Sequence, residues 1–170
     1  DTVAANPAVR CLIMTGEGTA FSAGGDLKRM QAQAGMFDGD PATLRDRYIA
    51  LIQCIPRRLA RFDIPIVAAV NGAAIGAGLD LACMCDIRVA SDRARFGSTF
   101  VKVGLIPGDG GAFVLSRVIG VPNALDLILT GKLIDAAEAH RIGLVHAVVP
   151  SADLMAAART RAEAIAANPP

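Results

Sequence analysis

The stretch PIVAAVNGAAIGAGLDLACMCDIRVASD (residues 65–92) decides the fold. Residues 65–70 form a short apolar run, the pattern of a strand buried on both faces. Asn71 and Gly72 make a turn pair. Residues 74–84 read as a buried helix, and residues 86–91 as the next strand. Between Ile64 and Cys85 there is one charged residue, Asp80, in the middle of that helix. A lone carboxylate in an apolar helix needs a reason.

Working outward, residues 9–14 (VRCLIM) predict another buried strand, followed by a Gly/Ser-rich loop. Residues 27–40 read as polar and mobile. A helix is expected over about 43–62, with Pro56 as a kink or break. ARFGS (94–98) reads as a short strand. Residues 112–120 predict a helix closed by Gly120, and a second follows with Pro122 near its first turn and Gly131 as its C-cap. Asp135, with Glu138 three residues on, marks the next helix start. LVHAVVP (144–150) is a strand, and Ser151 is the expected N-cap of the last helix. Apolar strands alternating with helices predict an α/β fold with a largely parallel sheet covered on both sides. The 170 residues suit a single domain over 1–170.

Hydrophobic residues make up 53% and charged residues 19%, which excludes a disordered chain. With aromatics at 4%, the core must be built from Ala, Val, Ile and Leu. A net charge of +1 gives no electrostatic reason to expect nucleic acid or an anionic membrane as partner. Residues 65–92 are too polar and Gly-rich to span a bilayer. The four cysteines include a C-x-C pair, Cys83 and Cys85, without a second pair, so buried reduced thiols are expected rather than a zinc site. That points to a reducing, cytoplasmic compartment. His140 and His146 lack a supporting cluster of acids or thiols, so no metal is expected. The abrupt start at Asp1 and end at Pro170 suggest a fragment of a longer protein.

Glycines concentrate in three loops: SAGGDL (22–27), NGAAIGAG (71–78) and IPGDGG (106–111). Such loops before helices offer free backbone N–H groups and room for close approach by a ligand. Dinucleotide binding fails on spacing, because GAGLDL (76–81) and GEGTAF (16–21) lack the third glycine of the fingerprint. No P-loop is present. CLIMTGEGTAFSAGGDLKRM (11–30), the opening stretch, FGSTFVKVGLIPGDGGAFVLSRVIG (96–120) and ALDLILTGKLIDAAEAHRIGLVHAVVP (124–150) together resemble the crotonase, or enoyl-CoA hydratase/isomerase, superfamily. The resemblance covers about residues 9–150. It implies a crotonase-like ββα spiral core with parallel sheets flanked by helices, lacking N-terminal strands and C-terminal helices. It also implies an acyl-CoA substrate, no cofactor beyond the coenzyme A of that substrate, and a homotrimer or dimer of trimers.

Carried over residue by residue, the resemblance places an oxyanion hole at the N–H groups of Gly25 and Ala77. It puts the coenzyme A side of the site at Ala23, Asp26 and Leu27. Backbone donors aimed at a developing oxyanion are worth about a hundredfold or more in rate. Asp80 falls where hydratases carry a catalytic glutamate, on the same side of the helix as Ala77. Its alternative reading is a salt bridge to Arg88. The second hydratase glutamate is replaced by Phe100. Asp109 is a candidate replacement acid, with a helix N-cap as its alternative reading. Lys28 and Lys102 read as solvated surface lysines. The implied activity is enoyl-CoA hydration through an enolate. An isomerase or C–C bond hydrolase using Asp80 and Asp109, or an inactive crotonase-fold binding module, are its rivals.

Overall fold

The structure is a computed structural model that describes residue 3 and residues 6–169. Among the described residues, eight strands form two four-stranded sheets. In the first, β1 (Leu12–Thr15), β3 (Ile66–Val70), β5 (Ile87–Ser91) and β8 (Ala147–Val149) lie in that order, all parallel. In the second, β2 (Ala20–Ser22), β4 (Ala73–Ile75), β6 (Arg95–Gly97) and β7 (Ile134–Asp135) do the same, with only the β6–β7 pair antiparallel. The chain steps from one sheet to the other and back, β1 to β2, β3 to β4, β5 to β6, so it winds as a spiral.

The apolar run of β3 is explained by burial on both sides. Val67 and Ala69, with Val89 of β5, pack on Leu154, Ala158 and Ala162 of helix α7 (Leu154–Ala166). The alternate residues Ile66, Ala68 and Val70 join the main core with Leu79, Phe96 and Leu115. This is the two-residue period of a strand, and it leaves no position for a polar residue. Helix α4 (Ala77–Met84) lies in the main core and packs on α5 (Gly111–Thr130).

Helix α5 is two helices joined across a kink. Gly120 (φ 77°, ψ 155°) breaks the helical path, and Pro122 starts the second half. Both events match the reading of the sequence. By length and composition α5 is, among the described residues, the one helix able to cross a membrane. Here Gly111, Leu115, Ile119, Ala124 and Leu127 are buried in the core, while Phe113, Val121, Leu125 and Leu129 are exposed.

Several expectations are corrected. Residues 27–40 hold helix α1 (Leu27–Gln31) and a 3₁₀ turn, Gly35–Phe37. The long helix expected over 43–62 is α2 (Pro41–Arg47), a π-helical turn (Tyr48–Ile52) and α3 (Cys54–Leu59). Asp40 starts α2 by accepting from the N–H groups of Ala42 and Thr43. Pro56 sits in the first turn of α3, where its missing N–H has little cost. Ala74 and Ile75 belong to β4 and not to the helix, because Gly76 (φ 55°, ψ −123°) turns the chain between them. Ser151 opens a 3₁₀ turn, and its hydroxyl meets those of Ser91 (2.5 Å) and the carboxylate of Asp92 (3.2 Å). The residue before α7 is Asp153, which makes no side-chain cap bond. Helix α6 (Ala136–Arg141) is capped as read, with Asp135 accepting from the Glu138 N–H.

All four cysteines are free thiols. Burial pushes those of Cys83 and Cys85 up to about 12, so they act as small apolar groups.

Candidate active site

β2 and β4 pair in parallel, so their carboxyl ends emerge side by side. After β2, Ala23–Gly25 lead to Asp26, which caps α1 through the Arg29 N–H (3.1 Å). After β4, Gly76 turns the chain into α4, whose first residue is Ala77. The two loops touch. Gly24 has φ +84°, and a side chain there would stand 2.7 Å from the Ile75 carbonyl oxygen and 3.3 Å from the Ala77 nitrogen. Only glycine permits both the conformation and the approach. Gly25 and Ala77 therefore line one cavity of about 240 Å³, together with Asp109, Phe100, Tyr48 and Met30. Among the described residues, no hydrogen bond takes the N–H of either Gly25 or Ala77.

Asp80 lies behind this cavity and is fully buried, and Asp109 is nearly so. As acceptors, neither oxygen of Asp80 nor Oδ1 of Asp109 has a partner among the described residues. Burial first, then a hydrogen bond to Asp109 and the Asp109 charge, push the Asp80 pKa to about 9. These two observations fit together when Asp80 is protonated: its O–H donates to Asp109, whereas an ionised Asp80 has no donor to meet. Asp80 is then neutral at neutral pH, as burial beside a second carboxyl favours.

The salt bridge read as an alternative for Asp80 does not form. Arg88 donates instead to the carbonyls of Leu144 (2.7 Å) and Cys85 (2.5 Å). Nor is Asp109 the cap of α5. The cap position is Gly110 (φ 102°), without a side-chain cap bond. At Gly111 the start of α5 comes so close to Asp80 that an added Cβ would overlap its carboxyl group.

Phe100 sits on a 3₁₀ turn, Thr99–Val103, with its ring 3.8 Å from where a Gly76 side chain would stand. It presents an apolar ring to the cavity where the resemblance places an acid. Asp26 and Arg29, paired at 3.6 Å, stand at the cavity's exposed rim. Ala23 is exposed on the same loop. Leu27 lines a larger adjoining hollow of about 630 Å³ with Met36, Phe37 and Leu44. Lys28 and Lys102 are exposed. Among the described residues no cluster of His, Cys, Asp or Glu has the makings of a metal site. Tyr48, Met30 and Phe37 were not singled out in the sequence. Met30 and Phe37 lay in the segment read as mobile, and Tyr48 in the helix expected over about 43–62, so none carried a site signal.

The profile of the enoyl-CoA hydratase/isomerase family matches residues 1–170. The chain belongs to that family. It is 43% identical over 160 residues to a probable enoyl-CoA hydratase, echA8, of Mycobacterium bovis, covering 94% of this chain and 59% of that protein. It is 41% identical over 164 residues to a short-chain-enoyl-CoA hydratase of Clostridium acetobutylicum, covering 95% and 60%. The crystal structure of an enoyl-CoA hydratase from Bacillus anthracis superposes with a TM-score of 0.88 at 37% identity, covering 98% of this chain and 62% of that one. The crotonase membership and spiral α/β fold expected from the sequence therefore hold. The chain spans about 59% to 62% of the length of these relatives.

Proposed function

We propose that the protein of which this chain is part acts on acyl-CoA thioesters through an enolate. The thioester carbonyl oxygen accepts from the N–H groups of Gly25 and Ala77. Charge moves onto that oxygen as a proton is added to or removed from the α-carbon, and two pre-aimed donors stabilise it. Asp80 exchanges the α-proton. Its pKa of about 9 makes it an acid at neutral pH that can give a proton and recover it. Asp109 handles the second proton. Ala23, Asp26 and Leu27 flank the coenzyme A side, and Phe100 packs against the acyl group. One observation carries the reading: two buried carboxyls, Asp80 and Asp109, with oxygens that find no hydrogen-bond donor among the described residues, behind two unused backbone donors.

The first reaction we assign is hydration of an enoyl-CoA, a lyase reaction, with Asp109 taking a proton from water. Phe100 favours a second reading, in which Asp109 moves a proton along the acyl chain, making the enzyme an isomerase. Coenzyme A enters as part of the substrate, and no cofactor is called for. Assembly as a homotrimer or dimer of trimers in the cytoplasm completes the proposal, and the exposed apolar side of α5 is a surface such an assembly would cover.

A panel of acyl-CoA thioesters, with products and solvent-deuterium uptake read by mass spectrometry, tests it on the full-length protein. Turnover or α-deuteration of a thioester, lost in a folded Gly25→Pro variant, is the expected result. Undiminished activity in that variant would overturn the oxyanion assignment.

A further inference from the structure

Asp109 is the second acid of the proposed site, yet it does not cap α5 and, among the described residues, its Oδ1 finds no partner. Something else must hold it in place. The loop that carries it, residues 107–110, is gripped from one side by the segment between α2 and α3. Gln53 Nε2 donates to the Gly108 carbonyl at 3.0 Å. The Tyr48 hydroxyl stands 3.4 Å, and its ring carbons 3.5 and 3.6 Å, from where a Gly108 side chain would be. On the other flank of Asp109, Pro56 Cβ lies 3.6 Å from the corresponding point at Gly110.

We propose that Gln53 is a positioning residue that acts through Asp109, and that the π-helical turn Tyr48–Ile52 exists to aim it. The proposal rests on the reading of Asp109 as an acid of the site. In a regular α-helix, residues five apart point about 140° away from each other. In the π turn the Gln53 N–H donates to the Tyr48 carbonyl at 3.0 Å, and the extra residue in that turn brings both side chains onto one loop. The amide of Gln53 is also oriented. Arg57 Nη2 donates to its Oε1 at 3.1 Å, which leaves Nε2 as the donor for Gly108. The chain Arg57–Gln53–Gly108 thus fixes the carbonyl next to Asp109 from a helix.

Position matters here because an error of about 1 Å at a reacting group can cost a hundredfold in rate. It also matters for the proton on Asp80. Asp80 is faced by Asp109 on the loop, by Tyr48 from the π turn and by Cys83 on its own helix. Asp26 and Arg29 reach only the rim of the cavity that Asp109 lines. Of these groups, Asp109 is the one whose hydrogen bond and charge raise Asp80, after burial itself. Freeing the loop should therefore lower the Asp80 pKa while leaving the oxyanion donors in place.

The test uses the full-length protein with Gln53→Met, which keeps the length and loses the donor, and Gln53→Leu, which loses the donor with a branched apolar side chain and adds no charge. Three things are read: amide hydrogen exchange over residues 107–111, kcat and KM for an acyl-CoA substrate, and the pH profile of kcat. We expect loop exchange to rise about tenfold, kcat to fall about tenfold or more with KM within about threefold, and the basic limb of the profile to move toward lower pH. Unchanged loop exchange in both variants overturns the proposal. So does a fall in kcat with an unmoved pH profile, or exchange that rises equally across β3 and α4, since either marks a general loss of structure. If the wild-type protein turns over no thioester, the enolate reading fails by itself, and loop exchange alone then decides whether Gln53 holds the Asp109 loop.

Discussion

Asp80→Asn should change the pH dependence of stability as much as it changes turnover. Asp80 ionises at 3.8 in its ordinary state and at about 9 in the fold. A group whose folded pKa is raised contributes stability that is fully present below its unfolded value and is lost as pH rises through the folded one. Between pH 4 and pH 9 the folded protein thus holds one proton that the unfolded chain has released. The resulting slope is at most about 1.4 kcal/mol per pH unit, or about 4 kcal/mol from pH 5 to pH 8. That is a large share of the 5–15 kcal/mol typical of whole domains, so it is measurable. Asparagine has the same size and cannot ionise, and its amide can donate to Asp109 as protonated Asp80 does. The variant should match the wild type near pH 5 and exceed it by about 2–4 kcal/mol at pH 8, while its turnover falls about a hundredfold or more. The assay is urea unfolding at several pH values, followed by far-ultraviolet circular dichroism, since the chain has no Trp and one Tyr. His146, whose pKa burial lowers, titrates in both proteins, and up to pH 8 the thiols of Cys83 and Cys85, pushed up to about 12, stay protonated in the fold, so the difference reports Asp80. Parallel stability curves for wild type and variant would refute a proton held on Asp80.

Gly111→Ala would drive a methyl group into the Asp80 carboxyl, and we expect it to cost about 1–3 kcal/mol and most of the activity; thermal melting and a turnover assay check this. Asp109→Asn should cut turnover by at least about tenfold, because Asp109 is not the cap of α5, and a double variant with Asp80→Asn should fall well short of the product of the two losses. Phe100→Glu should raise crotonyl-CoA hydration relative to isomerisation, read as the product ratio on one substrate. Residues 1–170 alone should bind a hydrophobic dye such as ANS through Phe113, Val121, Leu125 and Leu129, and a soluble, dye-silent, cooperatively melting monomer would contradict that.

What could be read in the sequence depended on local signals. The strand at 65–70 was legible because burial on both faces leaves only apolar residues. The break at Gly120 and the cap at Asp135 were legible because each acts within a few residues of itself. Asp80 stood out as the one charge in an apolar helix. The second sheet was harder. β4 has three residues, and its Ala73–Ile75 continue smoothly into a helical pattern, so nothing local separates them except the backbone turn at Gly76. Residues 27–40 were read as mobile for a different reason: the short helix there presents scattered apolar residues to a cavity rather than a stripe to a core, so no period emerges, and the helix expected over 43–62 is interrupted by a π turn that has no local sequence mark. The rival roles of Asp109 could not be separated in the sequence, because whether the residue before two glycines caps a helix depends on where that helix begins.

The winding of the chain between two sheets has a consequence for when the site comes into being. Its parts come from three turns of the spiral: the loop after β2 and the segment at 48–53 from the first, the start of α4 from the second, and the loop at 107–110 from the third. None of them is a neighbour of the next along the chain, and each pairing closes a loop of tens of residues, an entropic cost met only once the intervening turn is in place. During synthesis from the N-terminus, Gly25 emerges long before the chain that brings Ala77 beside it. Asp80 in turn waits for the stretch that carries Asp109 and Gly111. Asp80 therefore begins hydrated, with an ordinary acidity, and takes up its proton only as the third turn closes. Proton uptake at neutral pH is thus a late event of folding, and a pH-indicator dye in stopped-flow refolding would time the closing of the spiral directly.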